Sequence, residues 1–204
     1  PSLYNKENLI SKVTCAEPKL YGSSGKKVIL IDCGLKNSIL KCLLDLGIQV
    51  LRVPWDYDFS KEEYDGLFIS NGPGDPINYT PTVKSIQLAM ERNVPIFGIC
   101  LGNQLLALAA GAKTFKLKYG HRSQNQPVIE IRSKRCYITS QNHGYVVDSI
   151  LPEGWEVWFT NANDGTVEGI RHINKPWRSV QWHPEGHGGP LDTIFLFNNF
   201  VKGL

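Results

Sequence analysis

The sequence predicts one α/β domain built on a mixed sheet. In its first half, short apolar runs alternate with amphipathic or Leu/Ala-rich stretches, the signature of strands joined by helices. After Lys113 the texture changes to short β-rich pieces closed by a last helical stretch. Taken in order, "KKVILIDCG" (26–34) reads as a buried strand. "LKNSILKCLLDLG" (35–47) is an amphipathic helix stopped at Gly47. "IQVLRVPW" and "YDGLFISNGPG" are two further strands, the second ending in a glycine-rich turn. "TPTVKSIQLAMERN" is a helix with a threonine N-cap candidate and an early proline. The run from Pro95 to Ile99 is a fourth strand, and Leu101 to Ala110 is helical by its Leu/Ala content. The second half supplies "QPVIEI", "RCYITSQ", "WEVWFTN", "VEGIRH" and "RSVQWHPE" as strands and "PLDTIFLFNNFVKGL" as the closing helix. Residues 1–25 form a lead outside this pattern, and 26–204 the domain.

Composition narrows the function classes. The 204 residues are 42% hydrophobic and 20% charged, enough for one sizeable core. No apolar run approaches the ~20 residues that a membrane span needs, and the opening "PSLYNKENLISK" has no signal-peptide core. The formal charge of +3 comes from scattered lysines and arginines, which argues against nucleic acid or a membrane surface as partner. Cys15, Cys33, Cys42, Cys100 and Cys136 are an odd set without a Cys-x-x-Cys pair. That speaks against a disulfide framework or a zinc site and for a reducing, cytoplasmic setting.

Cys100 stands in Gly98-Ile99-Cys100-Leu101-Gly102, where the apolar strand ends and the helix begins. This is the placement of a nucleophile elbow, with a thiol in place of a hydroxyl. The glycines relieve crowding at a strained turn, and the helix N-terminus directs amides and positive dipole at the sulfur, lowering a thiol pKa. A buried structural cysteine is the competing reading of the pentapeptide alone.

A thiol nucleophile needs a base, and the base an orienter. His183 in "SVQWHPEG" follows an apolar strand, with Glu185 two residues on and Pro184 fixing the turn, so Cys100, His183 and Glu185 form a candidate triad. His187 makes an H-x-x-x-H spacing with His183, but Pro184, Gly186, Gly188 and Gly189 exclude the helix that a paired-histidine metal site requires. No metal or other cofactor is expected. "SNGPGDP" (70–76) suits an oxyanion site because its glycines admit close approach and let a peptide turn easily. The Leu101 amide supplies the other donor. A phosphate loop fits poorly, since no Lys-Ser/Thr follows and "GSSGKK" precedes its strand. His143 in "SQNHGYVVD" is expected in a polar turn between strands, with a substrate-contact or structural role.

Together, "NGPGDP", "GICLGNQ", "QNQPV", "QNHGY" and "WHPEG…GP.D" resemble, in order and spacing, the class I (triad) glutamine amidotransferases, above all the glutaminase part of carbamoyl-phosphate synthetase. The resemblance runs from about Lys26 to the C-terminus. It implies a flavodoxin-like, mostly parallel sheet flanked by helices. It implies Cys100 as nucleophile, His183 as acid/base and Glu185 as orienter. Glutamine contacts are implied at Gly72, Gly74, Leu101, Gln104, Asn142, Gly144 and Tyr145. It further implies L-glutamine as substrate, a synthetase domain or subunit as the recipient of ammonia, and an additional N-terminal small-subunit domain that contributes a serine to the site. Some ammonia-dependent relatives lack the cysteine that this chain has. A glutaminase serving another synthase, such as anthranilate synthase, or a catalytically silent regulatory domain are the alternatives. "EGHGGP" departs from the family's usual wording and leaves His187 without a role.

Overall fold

The computed structural model describes residues 9–186 and 191–204. A ten-stranded sheet runs in the order β1-β3-β2-β4-β5-β10-β9-β7-β6-β8. Its strands are β1 (Lys19–Tyr21), β2 (Lys27–Asp32), β3 (Gln49–Pro54), β4 (Gly66–Ile69), β5 (Ile96–Ile99), β6 (Thr114–Glu130), β7 (Cys136–Val147), β8 (Trp155–Asn161), β9 (Val167–His172) and β10 (Trp177–Val180). The helices are α1 (Ile10–Val13), α2 (Asn37–Asp45), α3 (Thr80–Glu91), α4 (Leu101–Ala109) and α5 (Phe195–Lys202).

The expectation of a mostly parallel sheet is corrected. Strands β3, β2, β4, β5 and β10 pair in parallel, but β1, β9, β7, β6 and β8 join through antiparallel ladders. The reason lies in the connections. Helical crossovers return the chain in the same direction, whereas the second half is linked without helices and turns straight back on itself. There the short pieces expected around Gln126–Ile131 and Arg135–Gln141 are ends of one long hairpin, β6–β7. The Gln-Asn-His-Gly segment is therefore in strand β7, not in a turn. Its polarity hid the strand, because the buried face carries Gln141 and His143, which meet polar partners, while Asn142 on the other face is exposed, so no apolar/polar alternation shows.

Strand alternation sends side chains to two apolar layers. Ile29 and Ile31 pack with Ile86, Leu105 and Leu106 beneath α3 and α4, while Val28 and Leu30 pack with Ile39, Leu43, Phe197 and Phe200 beneath α2 and α5. The N-cap of α3 is Tyr79, not a threonine; Thr80 is the first helical residue and Pro81 follows in the first turn. Part of the lead docks on the domain: β1 pairs with β3, and the Cys15 amide donates to the buried Asp32 carboxylate at 2.8 Å. Arg52 also donates to that carboxylate, which lies below its usual pKa: burial opposes ionisation, and the Leu35 and Gly34 amides and Arg52 outweigh it.

Phe68 centres the second apolar layer, with ring centroids of Phe97, Phe197 and Phe200 at 5.5, 5.6 and 5.3 Å. We expect Phe68→Ala to lower unfolding free energy by about 3–5 kcal/mol, and Phe68→Leu by distinctly less. Urea titration followed by circular dichroism measures both. A loss under 1 kcal/mol for the alanine variant contradicts this account of the core.

Candidate active site

Cys100 bridges β5 and α4 with φ 55° and ψ −103°, a conformation in which non-glycine residues are uncommon. The turn is held on three sides. The Cys100 amide donates to Val180 O at 2.9 Å, locking it to β10, and its carbonyl receives the Asn103 amide of the helix at 3.1 Å. The flanking glycines make the close approach possible: a Cβ on Gly98 would overlap the Gly102 carbonyl, and one on Gly102 would overlap the Ile69 carbonyl of β4. The sulfur is left at the N-terminus of α4, where the Leu101 and Gly102 amides come before the first amides that the Cys100 carbonyl accepts, those of Asn103 and Gln104.

The chain brings His183 and Glu185 to this point. The His183 amide donates to Ser140 O of β7 at 2.9 Å, and Gly186 N–H closes the turn onto His183 O at 3.0 Å. His183 Nδ1 and Glu185 Oε1 are 2.7 Å apart, which fixes the ring and leaves Nε2 free for the neighbouring Cys100 sulfur. Burial by itself lowers the His183 pKa. The adjacent Cys100 and Glu185 reverse that and push it up to about 10. Burial raises the Glu185 pKa; the imidazole, with Lys36 3.5 Å away, overcomes it and holds Glu185 below its usual value.

Two cavities meet at Cys100. One, of about 130 Å³, is lined by all seven residues expected to contact glutamine: Gly72, Gly74, Leu101, Gln104, Asn142, Gly144 and Tyr145. Arg122 and His143 complete its wall, with Pro73 and Cys100. The other, of about 540 Å³, opens on the His183 side past Lys36, Asn71 and Ser140. Gln104 lines the first, yet its Nε2 donates to Tyr145 O at 2.8 Å and Gln181 Oε1 at 3.2 Å, so its amide N–H groups hold β7 and the segment after β10.

The Gly-Pro-Gly turn is less free than its glycines suggest. Ser70 Oγ donates to Asn71 O at 2.8 Å, and Tyr79 Oη to Pro73 O at 2.7 Å. Each pinned carbonyl fixes the amide on the other side of its planar peptide, namely Gly72 N–H and Gly74 N–H. Gly72 has no room for a Cβ, which would overlap Cys33 O and crowd Leu101.

His143 lies in β7 behind the cavity. Its Nε2 and His121 Nδ1 both approach Gln141 Oε1, at 3.0 and 2.9 Å, and His121 reaches Glu168 and Asp164 at 3.1 and 2.9 Å. The ligand atoms of His121, His143 and Glu168 lie within 4.8 Å of one another, but the amide oxygen of Gln141 occupies the space between the two rings. Hydrogen bonding to Glu168, against burial and with help from Asp164, raises the His121 pKa to about 9. Burial, with cationic His121 adjacent, lowers that of His143 to about 4. His187 lies outside the described residues. Sequence reasoning missed Arg122, Gln181 and Lys36. Of these only Gln181 carried a signal, sharing a strand face with His183 two residues on.

The electrostatics predict separated titrations of these three imidazoles by NMR: His143 near pH 4, His121 near 9 and His183 near 10. A folded pKa above the unfolded value means the His183 contribution to stability is complete below about pH 6.5. It is then lost as pH rises towards 10. Glu185→Gln should shift the His183 midpoint downward; an unmoved midpoint would show that the carboxylate does not govern the ring.

Comparison with known proteins shows the family. Residues 29–203 match the family model for class-I glutamine amidotransferases. The chain is 53% identical to the multifunctional protein pyr-3 of Neurospora crassa over 97% of its own length and 12% of that protein's. It is 49% identical to the carbamoyl phosphate synthase arginine-specific small chain of Schizosaccharomyces pombe, over 96% of its length and 48% of that chain. It is 47% identical to human mitochondrial carbamoyl-phosphate synthase [ammonia], over 97% and 13%. The chain thus spans about half or less of these relatives. Among solved structures, a Thermoplasma acidophilum protein described as a candidate GMP synthase subunit superposes with TM-score 0.77 at 26% identity, covering 88% of this chain and 94% of that one. With the elbow cysteine, the His-Glu pair and the family match all on one chain, the protein belongs to the class-I glutamine amidotransferases.

Proposed function

We propose that residues 26–204 are the glutaminase domain of a glutamine-hydrolysing carbamoyl-phosphate synthetase, with Cys100, His183 and Glu185 as its triad. One observation carries the reading: a strained elbow cysteine beside a His–Glu pair whose carboxylate is buried, facing a cavity lined by the residues that the family resemblance assigns to glutamine. The Cys100 sulfur adds to the γ-carbonyl of glutamine, and the charge that develops on oxygen is met by the Leu101 amide and an amide of the Gly72–Gly74 turn. His183, as imidazolium, gives its proton to the departing nitrogen, and ammonia leaves behind a γ-glutamyl thioester. A water then gives a proton to His183 and attacks the thioester; the C–S bond breaks, glutamate leaves and the sulfur is restored. Glu185 keeps the ring aligned through both steps.

The ammonia goes to a synthetase domain or subunit, a partner suggested by relatives of which this chain is only a part. The same relatives leave room for an N-terminal small-subunit domain carrying the further serine. Five unpaired thiols suit a reducing compartment such as the cytoplasm, and no described helix is long and apolar enough to cross a membrane.

In the intact protein, Cys100→Ser should abolish glutamine hydrolysis and labelling by a glutamine-like electrophile while carbamoyl-phosphate synthesis from added ammonia survives. His183→Asn should cost roughly 10³-fold or more in kcat and Glu185→Gln roughly 10–100-fold, because the base moves the proton and the orienter only aligns it. Undiminished hydrolysis in Cys100→Ser would sink the reading, and a silent regulatory domain would show none in the wild type.

A further inference from the structure

We propose that Arg122 binds the α-carboxylate of the substrate and so sets the specificity of the cavity for a free amino acid; this rests on the glutaminase reading above. Arg122 is the only lysine or arginine among the residues lining the 130 Å³ cavity. It stands in β6 directly opposite Asn142 of β7, and Asn142 O lies 4.0 Å from the Cys100 sulfur, whose thiol donates to it. The cation is therefore one strand away from the nucleophile. The cavity has a depth gradient: Cys100 is 5% exposed on its floor, whereas Arg122 is exposed at its rim.

The guanidinium is also held in place. Its Nη1 donates to Tyr119 O within the bulge that separates the Lys116 and His121 registers, and Nη2 lies over Gly144, where a Cβ would approach it to 3.5 Å. No carboxylate among the described residues pairs with it, although Glu168 and Asp164 are both engaged by the adjacent His121. An oriented, unpaired fork at the mouth of a cavity with a nucleophile on its floor suits a ligand whose reactive carbonyl and anionic group lie at opposite ends. Glutamine is such a ligand. With its γ-carboxamide at Cys100, its α-carboxylate points to the rim. Of the other cations near the site, Lys116 lies across the Tyr145 ring, 5.9 Å from the centroid, and does not line the cavity, and Lys36 lines the second cavity, 3.5 Å from Glu185.

The test compares L-glutamine with L-glutaminamide, which keeps the γ-amide and replaces the α-carboxylate by a neutral amide, in steady-state ammonia release by the intact protein. For Arg122→Gln we expect KM for glutamine to rise about tenfold, more than kcat falls, with kcat/KM for glutaminamide little changed; the wild-type preference for glutamine then collapses. Arg122→Lys, which keeps the charge but not the fork, should retain part of the preference, and Lys116→Ala all of it. An equal loss on both substrates would mean that Arg122 only supports the hairpin. An unchanged KM for glutamine would mean that it does not touch the substrate. Either overturns the proposal while leaving the triad intact, whereas a wild type that releases no ammonia from glutamine overturns the glutaminase reading itself.

Discussion

The backbone of Cys100 is the constraint on which the site depends. A non-glycine residue at φ 55° is held there only if its surroundings over-determine it. Here they do, through β10 on one side, the first turn of α4 on the other, and two glycines whose missing side chains let strand, helix and β4 close together. The strain places the sulfur outside the strand and at the helix N-terminus at once. A relaxed residue at this point would turn the thiol into the sheet. The sheet order supports the same end, since β10 lies next to β5 in parallel and delivers His183 just beyond its carboxyl end.

Two separate charge systems lie near the sulfur, and their separation matters. His183, Glu185 and Lys36 form one, in which each ionised group is stabilised by the next. His121, Glu168 and Asp164 form the other, behind β7, with Gln141 linking them to a neutral His143. Burial, and after it a cationic His121, keeps charge off His143, so this imidazole in the wall of the smaller cavity remains a hydrogen-bonding fixture. The ring proposed to take and give protons, His183, is the one set beside both a carboxylate and the thiol. The same arrangement explains why His143 is a poor rival base: its ring nitrogens face Tyr145 O and Gln141 Oε1, both inside the protein.

The elbow and the His-Pro-Glu turn were legible in the sequence because each is local. Gly-x-Cys-x-Gly and His-x-Glu contain, within a few residues, both the reactive group and the backbone features that present it. The parallel half of the sheet was legible for the same reason, since each strand–helix pair carries its own periodicity. The hairpin β6–β7 was not. Gln141 and His143 are buried against a polar network, so the strand shows no alternation of apolar and polar residues. Gly-Pro-Gly read as pliant, yet the hydroxyls of Ser70 and Tyr79 hold its peptides.

Sequence alone was enough to propose Cys100, His183 and Glu185 for the chemistry, because the elbow around the thiol and the His-x-Glu pair are each set by residue type and short local spacing. Tertiary structure alone decided how they are surrounded: that Arg122 stands opposite Asn142, that Gln181 holds Asn103 and Gln104, and that Lys36 reaches Glu185. Each of these depends on strand register or on a crossover. A shift of one residue in register would send the side chain to the other face of the sheet, and no local pattern of residues encodes that choice.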